Sequence, residues 1–230
     1  MPRSHENFNR VVVTGVDGSG KSTAAHESAR LLSQAYPSSD IRVVDSTGLS
    51  HYQGGEITLS RFAGLEKIEP AQKASKIETV TRMAGFTAAR QFIEFGWSHK
   101  PNSLTIGVRD PFRVDPAVYA PIFMGERAQV SAERRLRVLN ALTMAAHPAV
   151  VALLKVDVDQ AYNNAAVREF VNTHETPEKI IQAAQEFPRV LETYHQAYDV
   201  PSVEINALKP NSADLLAETF EAFIPTARKK

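Results

Sequence analysis

Cysteine is missing from this chain of 230 residues. Its absence excludes disulfides, thiolate metal sites and a cysteine nucleophile, and it fits a reducing compartment. Neither sign of charge is in excess, because 26 Lys and Arg face 26 Asp and Glu. A long nucleic-acid groove needs a basic field, so nucleic acid is a disfavoured partner, even as a polynucleotide end. No apolar run is long enough to cross a bilayer, and residues 1–10 lack the apolar centre of a signal peptide. The expectation is a soluble, cytoplasmic protein with no membrane partner. Neither internal repeats nor low-complexity tracts divide the sequence, so one domain over 1–230 is the simplest organisation.

The most informative segment is VVVTGVDGSGKST, residues 11–23. An apolar run stops at Gly15, a glycine-rich turn follows, and Lys21, Ser22 and Thr23 open a helical pattern. Gly15-x-x-x-x-Gly20-Lys21-Ser22 is the frame of a phosphate-binding loop. Glycines without Cβ, here Gly15, Gly18 and Gly20 around Asp17 and Ser19, let backbone N–H groups wrap phosphate oxygens. The helix N-terminus adds unpaired N–H groups and the positive end of its dipole. Lys21 is placed to reach the outer phosphates, and the Ser22 hydroxyl to ligate magnesium. ATP and Mg2+ are therefore the expected cofactors. A glycine-rich turn that binds nothing leaves Lys21 and Ser22 at the helix start unexplained.

Periodicity predicts strands at 9–15, 41–45, 104–108, 149–158 and 201–205. Helices are predicted at 22–36, 75–96, 127–146, 160–172, 177–197 and 211–224, and 46–75 reads as loops with one or two short helices. Strands alternating with helices imply a mainly parallel five-stranded sheet covered on both faces, a three-layer α/β sandwich. Ligands then sit beyond the carboxyl ends of the strands, where the glycine loop, Asp45 and Asp110 all fall.

Several side chains have both a chemical and a structural reading. Asp17 either accepts from a sugar hydroxyl or braces the turn. Asp45 orients the acceptor, takes part in the metal's outer shell, or caps the following turn. Asp110 suits a metal's water shell, with Arg109 and Arg113 as phosphate-neutralising cations, against an ordinary ion pair. Phe86 and Arg90, four residues apart on one helix, suit base stacking and a grip on the base edge or a phosphate, against a core ring with a snorkelling arginine. Tyr119 is either a substrate contact or a core aromatic. Asp157 and Asp159 read as a strand exit and helix N-cap. The polar stretch VNTHETPEK is either an exposed connection or part of a lid.

Together these segments resemble the thymidylate kinase family of P-loop nucleoside monophosphate kinases, over nearly the whole chain. GVDGSGKST is close to that family's loop, TAARQF to its Ala-Ala-Asp-Arg helix, and HPAVVALLKVDVD to its Pro-Asp-Leu…Leu-Asp-Val-Asp strand. RDPFRVDPAVYAP occupies the place of its Asp-Arg-Tyr region, with Pro111 where arginine is usual and Arg109 or Arg113 as replacements. The resemblance implies a P-loop kinase fold with a small lid near 160–180. It implies transfer of the γ-phosphoryl group of ATP to a nucleotide or nucleoside-like acceptor, thymidylate foremost. By the same resemblance, Asp17 contacts the acceptor sugar, Arg90 holds the acceptor nucleotide, and Asp110 and Tyr119 carry over. Homodimerisation is common in that family. The rivals are a kinase for another nucleoside, modified nucleotide or polynucleotide end, and a nucleotide-binding regulatory protein with weakened catalysis.

Overall fold

The computed structural model describes residues 9–45, 48–61, 102–110, 113–124, 147–166 and 176–224. The expected helices at 75–96 and 127–146, with Phe86 and Arg90, lie outside the described residues, as does 167–175 of the expected lid.

The apolar run RVVVT forms β1, Arg10–Thr14, buried along its whole length. β-Branched residues suit a strand covered on both faces. The chain continues through α1 (Lys21–Ala35), β2 (Asp40–Val44), β3 (Gly48–Gln53), β4 (Glu56–Arg61), β5 (Ser103–Val108) and α2 (Val114–Met124). It ends with β6 (Val151–Lys155), α3 (Val158–Ala166), α4 (Pro177–Tyr198), β7 (Ser202–Asn206) and α5 (Ser212–Glu221).

The strands form one seven-stranded sheet in the order β4-β3-β2-β5-β1-β6-β7. Its five parallel strands, β2, β5, β1, β6 and β7, are those expected from periodicity. The sheet is wider than expected because 48–61 is an antiparallel hairpin rather than loops and short helices. Gly54 and Gly55 make its two-residue turn at φ 58° and 86°, the backbone that tight hairpin turns require. Helix α2 is a second addition, formed despite Pro121 within it. Among the described residues there are five helices, and none is long and apolar enough to cross a membrane.

Strand alternation splits the core in two. Val11, Val13, Ile41, Val43, Leu104 and Ile106 face α1 and α5, where Leu216 and Phe220 are buried. Val12, Val151 and Leu153 face α2 and α4, around Val118, Ile180 and Phe187. The parallel strand ends on β1, β5 and β2 consequently lie side by side. In register, Val13 pairs with Val108 and Val44 with Gly107, which aligns the glycine loop, Arg109 and Asp45 along one edge.

Phe187 is fully buried and anchors the second core. Phe187→Ala should lower the unfolding free energy by about 3–5 kcal/mol, measured by urea denaturation with an unchanged m-value.

Candidate active site

The glycine loop is shaped by what surrounds it. A Cβ on Gly15 would stand 2.5 Å from the Leu154 carbonyl oxygen on β6, and one on Gly18 would stand 1.9 Å from the Ala161 carbonyl oxygen on α3. Both residues also have positive φ, at 142° and 82°. Only glycine meets both conditions. Asn164 on α3 donates to the Gly18 carbonyl at 3.0 Å, so this helix buttresses the loop. Asp157 starts α3 by accepting from the amides of Asp159 and Gln160 at 3.0 and 3.4 Å, the N-cap role its position suggests. Among the described residues, a Cβ on Gly20 would meet nothing within 4 Å, so none of them fills that side of the loop. Gly20 caps α1 without any side-chain bond to the first-turn amides. Ser22 and Thr23 stand exposed in that turn.

Lys21 is buried to 5 % exposure, and its Nζ donates to the carbonyls of Gly15 at 2.9 Å and Val16 at 2.6 Å. Asp17 Oδ1 lies 3.8 Å from the same nitrogen. Arg109, directly after β5, also pairs with Asp17. Its backbone is left-handed, with φ 69°, while its N–H still donates to Val13 at 2.8 Å. A non-glycine residue held in that region costs about 1–3 kcal/mol and needs support from its surroundings. Here the kink turns the guanidinium off the strand and onto the loop acid.

Two other carboxyl groups stand behind β5. Asp110 is fully buried, with Oδ1 3.9 Å from the Arg10 guanidinium. Arg113 is buried close enough to Tyr194 for its charge to act there, as do those of Arg10 and Asp110. Asp115 Oδ2 accepts from the Thr14 hydroxyl at 2.9 Å and from the Asp110 amide at 2.8 Å. Its Oδ1 is buried without a hydrogen-bond partner among the described residues. Burial pushes the Asp115 carboxyl up, against the opposing pull of Arg109, the Asp110 amide, Lys21 and Thr14. Asp115, like Asp17, thus lies within the fields of Lys21 and Arg109, and Asp110 lies beside Arg10.

On the far side of β5, Asp45 Oδ1 accepts from the Gly48 amide at 3.0 Å, which is the turn-capping role. Its Oδ2 meets His26 Nε2 at 3.2 Å. Asp45 lies two strand spacings from the end of β1, about 10 Å. Tyr119 is partly buried and packs edge-on against Phe187, with ring centres 5.8 Å apart. The structure therefore brings Asp17, Lys21 and Arg109 together in the open loop and sets Asp45 at the neighbouring strand end. It buries Asp110 beside Arg10, buries Arg113, and packs the partly buried Tyr119 against the second core. Sequence reasoning missed Asp115, His26 and Asn164. Asp115 precedes Pro116 at a helix start and reads as an ordinary first-turn acid; the other two sit within regular helices.

These features fit a polyphosphate and a divalent cation. Among the described residues nothing fills the Gly20 side of the loop and no side chain caps the helix amides, a buried ammonium is at hand, and a buried carboxyl oxygen without a hydrogen-bond partner lies behind. The same architecture occurs in deoxyadenosine kinase from M. mycoides. The structure with bound dATP superposes with a TM-score of 0.55 at 14% identity, over 91% of this chain and 98% of that one. The form with bound dCTP gives 0.52 at 16% identity, over 93% and 99%. The form with products dCMP and a flexible dCDP gives 0.53 at 15% identity, over 93% and 99%. The fold resembles that of a deoxynucleoside kinase. No protein-family model and no curated sequence matches the chain.

The loop's steric limits are testable. Gly18→Ala drives a methyl into the α3 backbone and should cost about 1–3 kcal/mol through overpacking, added to a left-handed penalty of about 1–2 kcal/mol. Gly20→Ala meets only that second penalty, so chemical denaturation should rank Gly18→Ala as the less stable. Asp115 predicts a pH effect. Because its folded-state pKa is raised, its contribution to stability is full below the unfolded value and is lost as pH rises through the folded one. Asp115→Asn keeps the acceptor for Thr14 and removes the titration. The stability of the native protein relative to this variant should fall steadily above about pH 4, as read by denaturation at a series of pH values.

Proposed function

We propose that the protein is a magnesium- and ATP-dependent kinase that phosphorylates a sugar hydroxyl of a deoxynucleoside. The observation that carries this reading is the charge on the acceptor side of the glycine loop. The carboxyl groups of Asp17 and Asp45 stand there, Asp17 paired with Arg109 and Lys21 and Asp45 with the His26 ring. A neutral hydroxyl acceptor suits such a site, and a nearby carboxylate can take its proton. A monophosphate dianion would meet repulsion from the same acids. The deoxyadenosine kinase likeness supports the choice through its fold alone.

In this reading the backbone of residues 15–22 cradles the donor phosphates. Lys21 exchanges its bonds to the Gly15 and Val16 carbonyls for outer phosphate oxygens. Ser22 would hold the magnesium ion, with Asp115 or Asp110 as the carboxyl behind it; the ion supplies charge neutralisation on the phosphates. Asp17, released from Arg109, orients the sugar, and Arg109 is left to offset charge on the moving group. Asp45 accepts the hydroxyl proton. The freed oxygen bonds to the γ-phosphorus, and the bridging oxygen leaves with its electron pair as ADP. Alignment and electrostatics supply most of the acceleration, and no covalent intermediate is needed.

The second reading is transfer to thymidylate, favoured by the acid at Asp17 in a loop resembling the thymidylate kinase family's. A panel of the four deoxynucleosides and thymidylate with γ-labelled ATP separates the two. Labelled deoxynucleoside monophosphate is the expected product. Label on thymidylate with all nucleosides inert would replace the first reading by the second.

A further inference from the structure

We propose that His26 is a positioning residue for Asp45, a clamp on the carboxylate at the acceptor end of the site, itself held in place by Tyr52. This rests on the reading above, in which Asp45 receives the acceptor proton.

The three side chains come from three elements. His26 lies on α1, Asp45 follows β2, and Tyr52 is on β3. His26 Nδ1 is 2.7 Å from the Tyr52 hydroxyl and Nε2 is 3.2 Å from Asp45 Oδ2. The rings of His26 and Tyr52 are 6.0 Å apart and tilted by 50°, so they meet through the hydroxyl and not by stacking.

The proton arrangement follows from the partners. A carboxylate oxygen only accepts, so Nε2 must carry a hydrogen. In the neutral ring Nδ1 is then an acceptor and the Tyr52 hydroxyl its donor. Tyr52 is fitted for that task. Burial, followed by the charges of Asp45 and Glu27, pushes its hydroxyl up to about 12, so it keeps its proton near neutral pH. Were Nδ1 the protonated nitrogen of a neutral ring, the Nε2 lone pair would oppose the carboxylate. Tyr52 thus selects the tautomer that binds Asp45.

The other carboxylate oxygen is also held. Asp45 Oδ1 accepts from the Gly48 amide at 3.0 Å, and the Asp45 amide donates to the Gly48 carbonyl at 3.1 Å. With one oxygen on the turn and one on His26, rotation of the carboxylate is blocked. The clamp also joins the two halves of the site. His26 is four residues after Ser22 and shares its face of α1. The helix that presents the phosphate-binding turn at its start therefore holds the acceptor-side acid one turn later. A ring whose only task was to satisfy Tyr52 would not require a carboxylate on its second nitrogen.

Two measurements test the clamp. The first is kinetic, at saturating ATP with the deoxynucleoside that the panel selects. His26→Phe should lower kcat about tenfold or more, while the acceptor KM stays within about twofold. His26→Gln, whose amide can donate to Asp45 and accept from Tyr52, should recover most of that loss. Unchanged kcat in His26→Phe, or a glutamine variant no better than phenylalanine, would overturn the proposal. The second needs no turnover. The ring 15N signals of His26 should report a single Nε2–H tautomer in the native protein and lose that bias in Tyr52→Phe. A native ring that averages between tautomers would also overturn the clamp. If no deoxynucleoside is phosphorylated, the proposed function fails, and the ring spectrum still decides whether His26 is held on Asp45.

Discussion

A buried ammonium group organises this molecule. Lys21 sits at the first turn of α1 with its charge inside the glycine loop, 2.6 and 2.9 Å from two backbone carbonyls and 3.8 Å from a carboxylate. An unpaired cation there would cost several kcal/mol. The loop must therefore fold around the lysine, and it does so only because Gly15 and Gly18 let it press against the backbones of β6 and α3. Among the lysine's partners are carbonyl dipoles, the Ser19 hydroxyl and one shared acid, groups that a more strongly charged phosphate can displace.

The other parts of the site follow from that loop. β1 lies near the middle of the sheet, between β5 and β6. The turn after β5 therefore supplies Arg109 to the loop acid, and the next strand, β2, ends on Asp45. α3 leans on the loop from the opposite side through Ala161 and Asn164. The segment expected to form a lid, near 160–180, begins within this helix, so its start touches the glycine loop directly. Phosphoryl transfer asks for alignment and charge balance more than for special reactivity. A rigid row of strand ends with one cationic loop supplies both.

Much of this architecture is visible in the residues themselves. The β-branched run at 11–13 and the glycine frame after it mark β1, the loop and α1, and the five parallel strands follow from apolar spacing. The hairpin of β3 and β4 does not. Its first strand, GLSHYQ, lacks clean alternation, and its second, EITLSR, is short with its apolar Ile57 and Leu59 exposed, although the Gly54-Gly55 pair between them is a hairpin signal. An edge hairpin has fewer buried positions, so its pattern is weak. Within the site, loop chemistry is local and can be read from sequence. The surroundings of Asp110, Asp115 and His26 are not, because they depend on side chains from distant segments. Asp115 meets Thr14 across 101 positions, and His26 meets Asp45 across 19. Asp110 and Tyr119 illustrate the same limit. Their positions at a strand end and in a helix are local facts, but the direction of each side chain is a property of the packed protein.

The most direct test of the account is calorimetric titration of magnesium–ATP onto the native protein and onto Lys21→Ala, with circular dichroism to establish that both are folded. Saturable one-site binding by the native protein, lost in a variant with an unchanged spectrum, is the predicted result. Equal binding by the two proteins, or no binding by either, would contradict the assignment of the glycine loop as a triphosphate cradle.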